Sequence, residues 1–295
     1  MELKLQNISK SYGKNKALSD FSMTFTPGIY ALLGPNGSGK STLMNIITDN
    51  LRADTGEILY NGEPVRKLGV HFREKIGFMP QYPGFYTNFS ARDFLCYIAC
   101  LKDIPRKEIR AAVEDVLCAV ELSDVAGQRI GTFSGGMKQR LALAQATLGD
   151  PEIIILDEPT AGLDPKQRIA VRNYISSIAL KKIVMIATHV VSDVEFIAKE
   201  VIMLKKGVIT DQAPPCELIA NMAGKVWGLR CKESEIPFYE QRFQVVGISK
   251  AGEDTVELRV ISDTGEGMTA LSPTLEDYYL YVFGGQCQPA GSALR

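Results

Sequence analysis

No surplus of either charge sign marks this sequence: 33 Lys and Arg face 34 Asp and Glu, for a formal net charge of −1. A nucleic-acid partner is therefore not expected, because binding a polyanion calls for clustered basic residues. Long apolar runs are missing too. No stretch approaches the ~18 consecutive apolar residues of a spanning helix, and the opening MELKLQNISK lacks the apolar segment of a secretory signal. The chain is not expected to cross a membrane, so any membrane role has to come through a partner. The six cysteines, Cys96, Cys100, Cys118, Cys216, Cys231 and Cys287, include no CxxC pair and no spacing of a small disulfide scaffold; they read as reduced thiols. Cys96 and Cys100, at i and i+4, could share a helix face with metal-ligand geometry, but their neighbours Phe94, Leu95, Ile98 and Leu101 point to plain burial. Of the two histidines, His71 has no motif around it and reads as a surface residue.

What is present is an ordinary globular composition, 45% hydrophobic and 23% charged. At 295 residues the chain exceeds a typical domain of about 100–200, so one large domain with a smaller appendage is expected. Residues 1 to about 27 alternate apolar and polar (Leu3 and Leu5, then Phe21, Met23 and Phe25), as in antiparallel strands with one buried face. GEILYNGEPV continues the pattern, and Asn61-Gly62 suits the two φ > 0 positions of a type I′ hairpin turn. Four short apolar runs, Ile29–Leu33, Ile76–Met79, Ile153–Leu156 and Ile183–Ala187, suit instead strands buried on both faces in a parallel sheet covered by helices. Between the second and third, Ala91–Leu101 and Arg106–Glu121 read as helices with Pro105 at an early helical position, an inserted helical subdomain over about 88–150. Further on, VWGLRC and FQVVGISKAGEDTVELRVIS read as strands with AGED as a turn, and PTLEDYYLYVF as a helix starting near Thr274. The expectation is an α/β main domain over 1–222, a small α+β domain over 223–284 and a disordered tail at 285–295, where the apolar payload vanishes.

After Ile29–Leu33 comes Gly34-Pro35-Asn36-Gly37-Ser38-Gly39-Lys40-Ser41-Thr42, and then Leu43, Met44, Ile46 and Ile47 at helical spacing. Strand, glycine loop and helix form the context that GxxxxGK[ST] needs, because backbone N–H groups must curl round a phosphate at a helix N-terminus. The glycines permit close approach and unusual φ/ψ. Lys40 would carry its ammonium to the β- and γ-phosphates and Ser41 its hydroxyl to Mg²⁺, which makes Gly34 to Thr42 a candidate ATP site. A second anchor is Ile153-Ile-Ile-Leu156-Asp157-Glu158-Pro159, an apolar strand that ends in two carboxylates. Such an ending calls for a cation: Asp157 is placed to bind Mg²⁺ through water, and Glu158 to polarise an attacking water.

Phe133-Ser134-Gly135-Gly136-Met137-Lys138-Gln139-Arg140 resembles the signature motif, usually written LSGGQ, of ATP-binding cassette (ABC) ATPases. Phe133 for Leu keeps the apolar contact; Met137 for Gln removes a polar side chain near the nucleotide. Ser134 can cap a helix with Met137, Leu141, Ala144 and Leu148 as one apolar face, and the free N–H groups of Gly135 and Gly136 make another anion site. The resemblance covers about residues 1–222. It implies the P-loop fold of that family, with an N-terminal antiparallel β subdomain, a parallel-sheet core and the helical insertion. It also implies two cassettes that sandwich two ATP molecules head to tail, so that Ser134, Gly135 and Gly136 meet the ATP held by the opposing subunit. By the same resemblance Tyr12 stacks on adenine, Gln81 touches Mg²⁺ and water, Asp164 of Ala161-Gly162-Leu163-Asp164 lies at the dimer interface, and His189 contacts the γ-phosphate. The implied catalytic set is Lys40, Gln81, Glu158 and His189, and the implied metal set Ser41, Gln81 and Asp157.

The use of the hydrolysis is implied by the same likeness: the energy-coupling subunit of an ABC transporter, held on the cytoplasmic face of a membrane by a permease on a separate chain. Tyr82-Pro83-Gly84-Phe85-Tyr86 follows Gln81 where family members dock a permease helix, though ordinary packing would account for those aromatics equally. PTLEDYYLYVF is similar to the end of export-type single-cassette subunits; a helix packing on its own sheet explains Leu275, Tyr278, Tyr279 and Val282 as well. The alternative is a soluble ABC ATPase acting on nucleic acid or the ribosome. Such relatives show coiled-coil insertions, zinc-binding cysteines or tandem cassettes, which this sequence lacks.

Overall fold

The computed structural model describes residues 1–284, so the expected disordered tail, with Cys287, lies outside the described residues. Two compact units divide the chain, the first through Gln212 and the second from Ala213.

In the first unit, β1 (Leu3–Tyr12) and β2 (Asn15–Phe25) pair antiparallel, with Leu3 opposite Phe25 and Leu5 opposite Met23. The alternation buries one face and leaves the other in water, as the sequence pattern requires. Next come β3 (Gly28–Leu33), α1 (Lys40–Ile47), β4 (Thr55–Tyr60) and β5 (Glu63–Pro64). Asn61 and Gly62 both have positive φ, 49° and 86°, and close the β4–β5 hairpin as expected. Two short helices, α2 (Val65–Leu68) and α3 (Val70–Glu74), lead to β6 (Ile76–Met79). The insertion follows as α4 (Ala91–Leu101), α5 (Arg106–Ala119) and α6 (Gly135–Thr147), and the chain returns through β7 (Ile153–Asp157), α7 (Pro165–Ile178), β8 (Ile183–Ala187), α8 (Val191–Val194), β9 (Glu200–Lys205) and β10 (Val208–Ala213).

Two sheets result: β2-β1-β4-β5, all antiparallel, and a six-stranded sheet β10-β9-β3-β8-β7-β6 in which β9-β3, β3-β8, β8-β7 and β7-β6 are parallel. All four apolar runs become neighbouring strands, and β9 joins them although the sequence reading passed over it. One continuous core, including Phe21, Phe25, Tyr30, Phe72, Ile155 and Met185, connects the two sheets. Gly77 shows how tightly α6 lies on β6: a Cβ there would overlap the Ala146 carbonyl oxygen. That fit corrects one expectation. α6 does not present a single apolar face, because Leu141, Ala142, Leu143, Ala144, Ala146 and Thr147 are all buried; β6 and β7 pack on it from one direction and α4 and α5 from another.

The second unit holds α9 (Pro215–Ala220), β11 (Val226–Lys232), α10 (Ile236–Glu240), β12 (Gln244–Lys250), β13 (Thr255–Ile261), β14 (Thr269–Ala270) and α11 (Leu275–Phe283). Its sheet runs β12-β13-β11-β14, antiparallel throughout. α11 begins at Thr274, whose hydroxyl caps Asp277 N–H while Asp277 returns a bond to Thr274 N–H. The unit begins earlier than residue 223 because Pro214-Pro215 starts α9, which packs against α11 within it.

One smaller expectation also changes. Cys100 is exposed and Cys96 half-buried, and Leu101 is exposed as well, so Ala91, Phe94, Leu95 and Ala99 fill the α4 core face. Among the described residues no three His, Cys, Asp or Glu side chains group as metal ligands, and no helix is long and apolar enough to cross a membrane.

Candidate active site

Parallel strands level their carboxyl ends: Ala187 of β8 sits opposite both Leu32 of β3 and Asp157 of β7. The segments that leave these ends therefore emerge side by side, where open α/β sheets bind ligands. They line one open cleft with Tyr12, Asn36 to Thr42, Gln81, Asp157, Glu158 and His189 on its walls. Sequence-distant candidates thus converge. Gly34 and Pro35 stand just behind, and Ser134, Gly135, Gly136 and Asp164 lie outside this cleft.

Main-chain bonds pin the glycine loop. Ser38 O accepts from Gly207 N–H at 2.9 Å, and Gly207 O in turn accepts from Ser19 N–H at 2.9 Å. Gly39 caps α1 at φ 110°, a left-handed value open to glycine, and a Cβ there would come within 2.5 Å of the Ala17 carbonyl oxygen. The first turn of α1 thus presents unpaired N–H groups toward the cleft. Lys40 Nζ donates to the loop's own carbonyls, Gly34 O at 2.6 Å and Pro35 O at 3.2 Å. Burial lowers the Lys40 pKa, and the charges of Glu158 and Asp157 pull in the other direction. Ser38 Oγ is buried with no hydrogen-bond partner.

The two carboxylates are held differently. Asp157 ends β7, and its pKa is pushed up to about 6, first by burial and then by the Glu158 charge, with Lys40 opposing. Glu158 is buried and has φ 54°, a left-handed value that costs a side-chain-bearing residue roughly 1–2 kcal/mol. Its own N–H donates to Ala187 O at 2.8 Å. Thr188 Oγ1 donates to Glu158 Oε2 at 3.0 Å; His189 N–H and His189 Nδ1–H donate to Oε1 at 3.1 and 2.8 Å. His189 exposes the rest of its ring to the cleft, with 70% of the side chain accessible. Thr188 and Gln139, whose amide donates to Glu158 O at 2.5 Å, were not singled out in the sequence. Their only signals there are adjacency to His189 and membership of the FSGGMKQR run.

Away from the cleft, Ser134 caps α6 by accepting Met137 N–H at 3.2 Å, and Asp164 caps α7 by accepting Gln167 N–H at 2.8 Å. Both residues are exposed. Tyr12 is half exposed at the end of β1, and Tyr82 is 85% exposed just past Gln81.

A glycine loop with a lysine at a helix start, facing an aspartate and a buried glutamate across parallel strand ends, defines a P-loop nucleotide hydrolase. The family model described as ABC transporter matches residues 18–161, and the chain belongs to that family as an ATP-binding and ATP-hydrolysing subunit. It is 35% identical over 247 residues, 83% of its length and 82% of the relative's, to the uncharacterized ABC transporter ATP-binding protein YxlF of Bacillus subtilis. With the Nod factor export ATP-binding protein I of Sinorhizobium fredii the identity is 32% over 294 residues, 96% of this chain and 86% of that one. Among solved structures, cbiO1 from Clostridium perfringens, part of the transporter complex cbiONQ, superposes with a TM-score of 0.67 at 30% identity over 74% of this chain and 90% of that one. The dimeric post-hydrolysis state of the cassette MJ0796, bound to ADP and Pi, gives a TM-score of 0.66 at 27% identity over 72% and 98%. ATPase cassettes of this family dimerise and pair with membrane permeases.

Proposed function

We propose that this chain powers export through a separate membrane permease, with the residues of the cleft in the following roles. ATP lies with its adenine on Tyr12 and its phosphates among the N–H groups of Gly34 to Thr42, where Lys40 exchanges its loop carbonyls for the β- and γ-phosphates. Ser41, Asp157 and Gln81 hold Mg²⁺. The donors are all oxygens, as a hard divalent cation requires. Bound Mg²⁺ supplies charge neutralisation on the phosphates. Glu158 accepts the proton of the attacking water; its two oxygens offer four acceptor positions, and the protein's own donors use three. His189 contacts the γ-phosphate. Ser134, Gly135, Gly136 and Asp164 act on the nucleotide and surface of a second cassette, in keeping with the exposure of Ser134, Gly135 and Asp164 away from this chain's own cleft.

The observation that carries the catalytic part is the meeting of Lys40, Asp157, Glu158 and His189 on one cleft. Export is supported by similarity to relatives named for export, which runs through 96% of the chain and so includes the second unit. The permease would hold the chain at the cytoplasmic face of the membrane. Copurification from native membranes tests this reading: a multispan membrane protein should accompany the chain, and recovery with ribosomes or DNA instead would overturn it.

A further inference from the structure

Glu158 is tied on two sides, and only one of them belongs to the cleft. Its carboxylate is fixed by Thr188 and His189. Its main-chain carbonyl, on the opposite side, accepts from Gln139 Nε2 at 2.5 Å and from Ala161 N–H at 3.2 Å. Gln139 stands on α6, less than two turns from the Ser134 cap, given 3.6 residues per turn. Burial anchors α6 from Leu141 to Thr147, and between its exposed cap and Gln139 it continues as one unbroken helix, so a displacement of its first turn reaches Gln139. Gly136, at its start, lies against Leu163 and Gln167, so the same helix also touches the segment that follows Glu158.

A glutamate at φ 54° keeps that conformation only while its surroundings over-determine it. Three main-chain bonds do so: to Ala187 from the sheet, to Ala161 within the turn, and to Gln139 from α6. Only the last comes from a helix whose exposed N-terminus is free to meet a ligand held elsewhere.

We propose that Gln139 is a positioning residue that couples α6 to Glu158. Engagement of the α6 N-terminus by ATP on an opposing cassette sets, through the Gln139 amide, the posture of the general base at this chain's own nucleotide. The proposal rests on the head-to-tail reading above. Each α6 would then meet one nucleotide of the dimer and hold the base that acts on the other, which gives each ATP the differential contact that coupling between sites requires.

The test uses the full chain with Gln139→Leu and Gln139→Glu, which remove the donor, and Gln139→Lys, which returns one. The parent should hydrolyse ATP with a Hill coefficient above 1. Leu and Glu should each lower kcat by about tenfold or more, as loss of one well-aligned bond to the catalytic segment allows, and bring the Hill coefficient to 1. ATP affinity and ATP-dependent dimerisation by sedimentation should stay at the parent's values, the melting temperature should fall by no more than a few degrees because Glu158 O keeps the Ala161 N–H, and Lys should recover most of kcat and the cooperativity. Parent-like kcat and cooperativity in both Leu and Glu would overturn the proposal; so would a fall in affinity or melting temperature that tracks kcat, or a parent without cooperativity. A Glu158→Gln variant separates the two levels: if it hydrolyses ATP like the parent, the functional reading fails and the coupling with it, whereas its inactivity beside an unaffected Gln139→Leu removes the coupling alone.

Discussion

Asp277→Asn in the second unit should cost stability that can be worked from its contacts. The carboxylate accepts Arg259 Nε at 2.7 Å on Oδ1, and Arg259 Nη2 at 2.6 Å, Thr274 N–H at 2.7 Å and Thr274 Oγ1 at 2.9 Å on Oδ2. An amide nitrogen in the Oδ2 position would face three donors with a fourth. Removing one partner of a fully buried ion pair costs about 3–5 kcal/mol. Here the Asp277 side chain is 3% exposed but that of Arg259 is 30% exposed, so water relieves the orphaned cation, and about 2–4 kcal/mol is expected. Trp227, the sole tryptophan of the chain, lies on β11 in this unit, so its fluorescence during urea unfolding reads the right part of the molecule. The pH dependence has a definite sign. Burial would raise the Asp277 pKa, but the bonds from Arg259 and Thr274 outweigh it and hold the carboxyl below its usual value of 3.8. A depressed carboxylate contributes stability that is present above its unfolded pKa and lost as pH falls through the folded one. The gap between parent and variant should be full at pH 7 and close in acid below about pH 4. A gap under about 0.5 kcal/mol at pH 7, the range of an ordinary surface change, would refute a stabilising role for the Asp277 carboxylate; so would a full gap persisting in strong acid.

Glu158→Gln should slow ATP turnover by at least about 10²-fold while nucleotide binding persists, as loss of a general base does, checked by phosphate release beside a binding titration. Thr188→Val deletes the donor to Glu158 Oε2 and the acceptor of Val190 N–H, both at 3.0 Å; it should destabilise the first unit by about 2–4 kcal/mol in thermal unfolding without ligand. Gly77→Ala would drive a methyl into the Ala146 carbonyl, and should lower the stability of the first unit by about 1–3 kcal/mol, as overpacking does, or more if α6 cannot shift. Gly39→Ala should abolish ATP binding, since both its φ and the Ala17 carbonyl oppose a side chain.

Local signals were the legible ones. Ile76–Met79 and Ala91–Leu101 coincide with β6 and α4, and Thr274 caps its helix, because apolar period, turn chemistry and caps are written within a few residues of one another. The loop from Gly34 to Thr42 and the Asp157-Glu158 pair were legible for the same reason. Long-range facts were not. That β8 lies between β3 and β7, which brings His189 beside Glu158, is set by sheet order; Gln139 reaching Glu158 O is set by how α6 crosses the sheet. Cys100 misled because the buried face of α4 is made by Ala91, Phe94, Leu95 and Ala99, while Cys100 and the apolar Leu101 beside it are both exposed.

The phosphate role of Lys40 is open to one direct measurement, calorimetric titration of the purified chain with Mg-ATP beside its Lys40→Ala variant. Saturable binding by the parent, weakened about 10-fold or more in the variant through loss of a charged hydrogen bond, is the predicted result. Equal binding by the two proteins, or none by either, would contradict it.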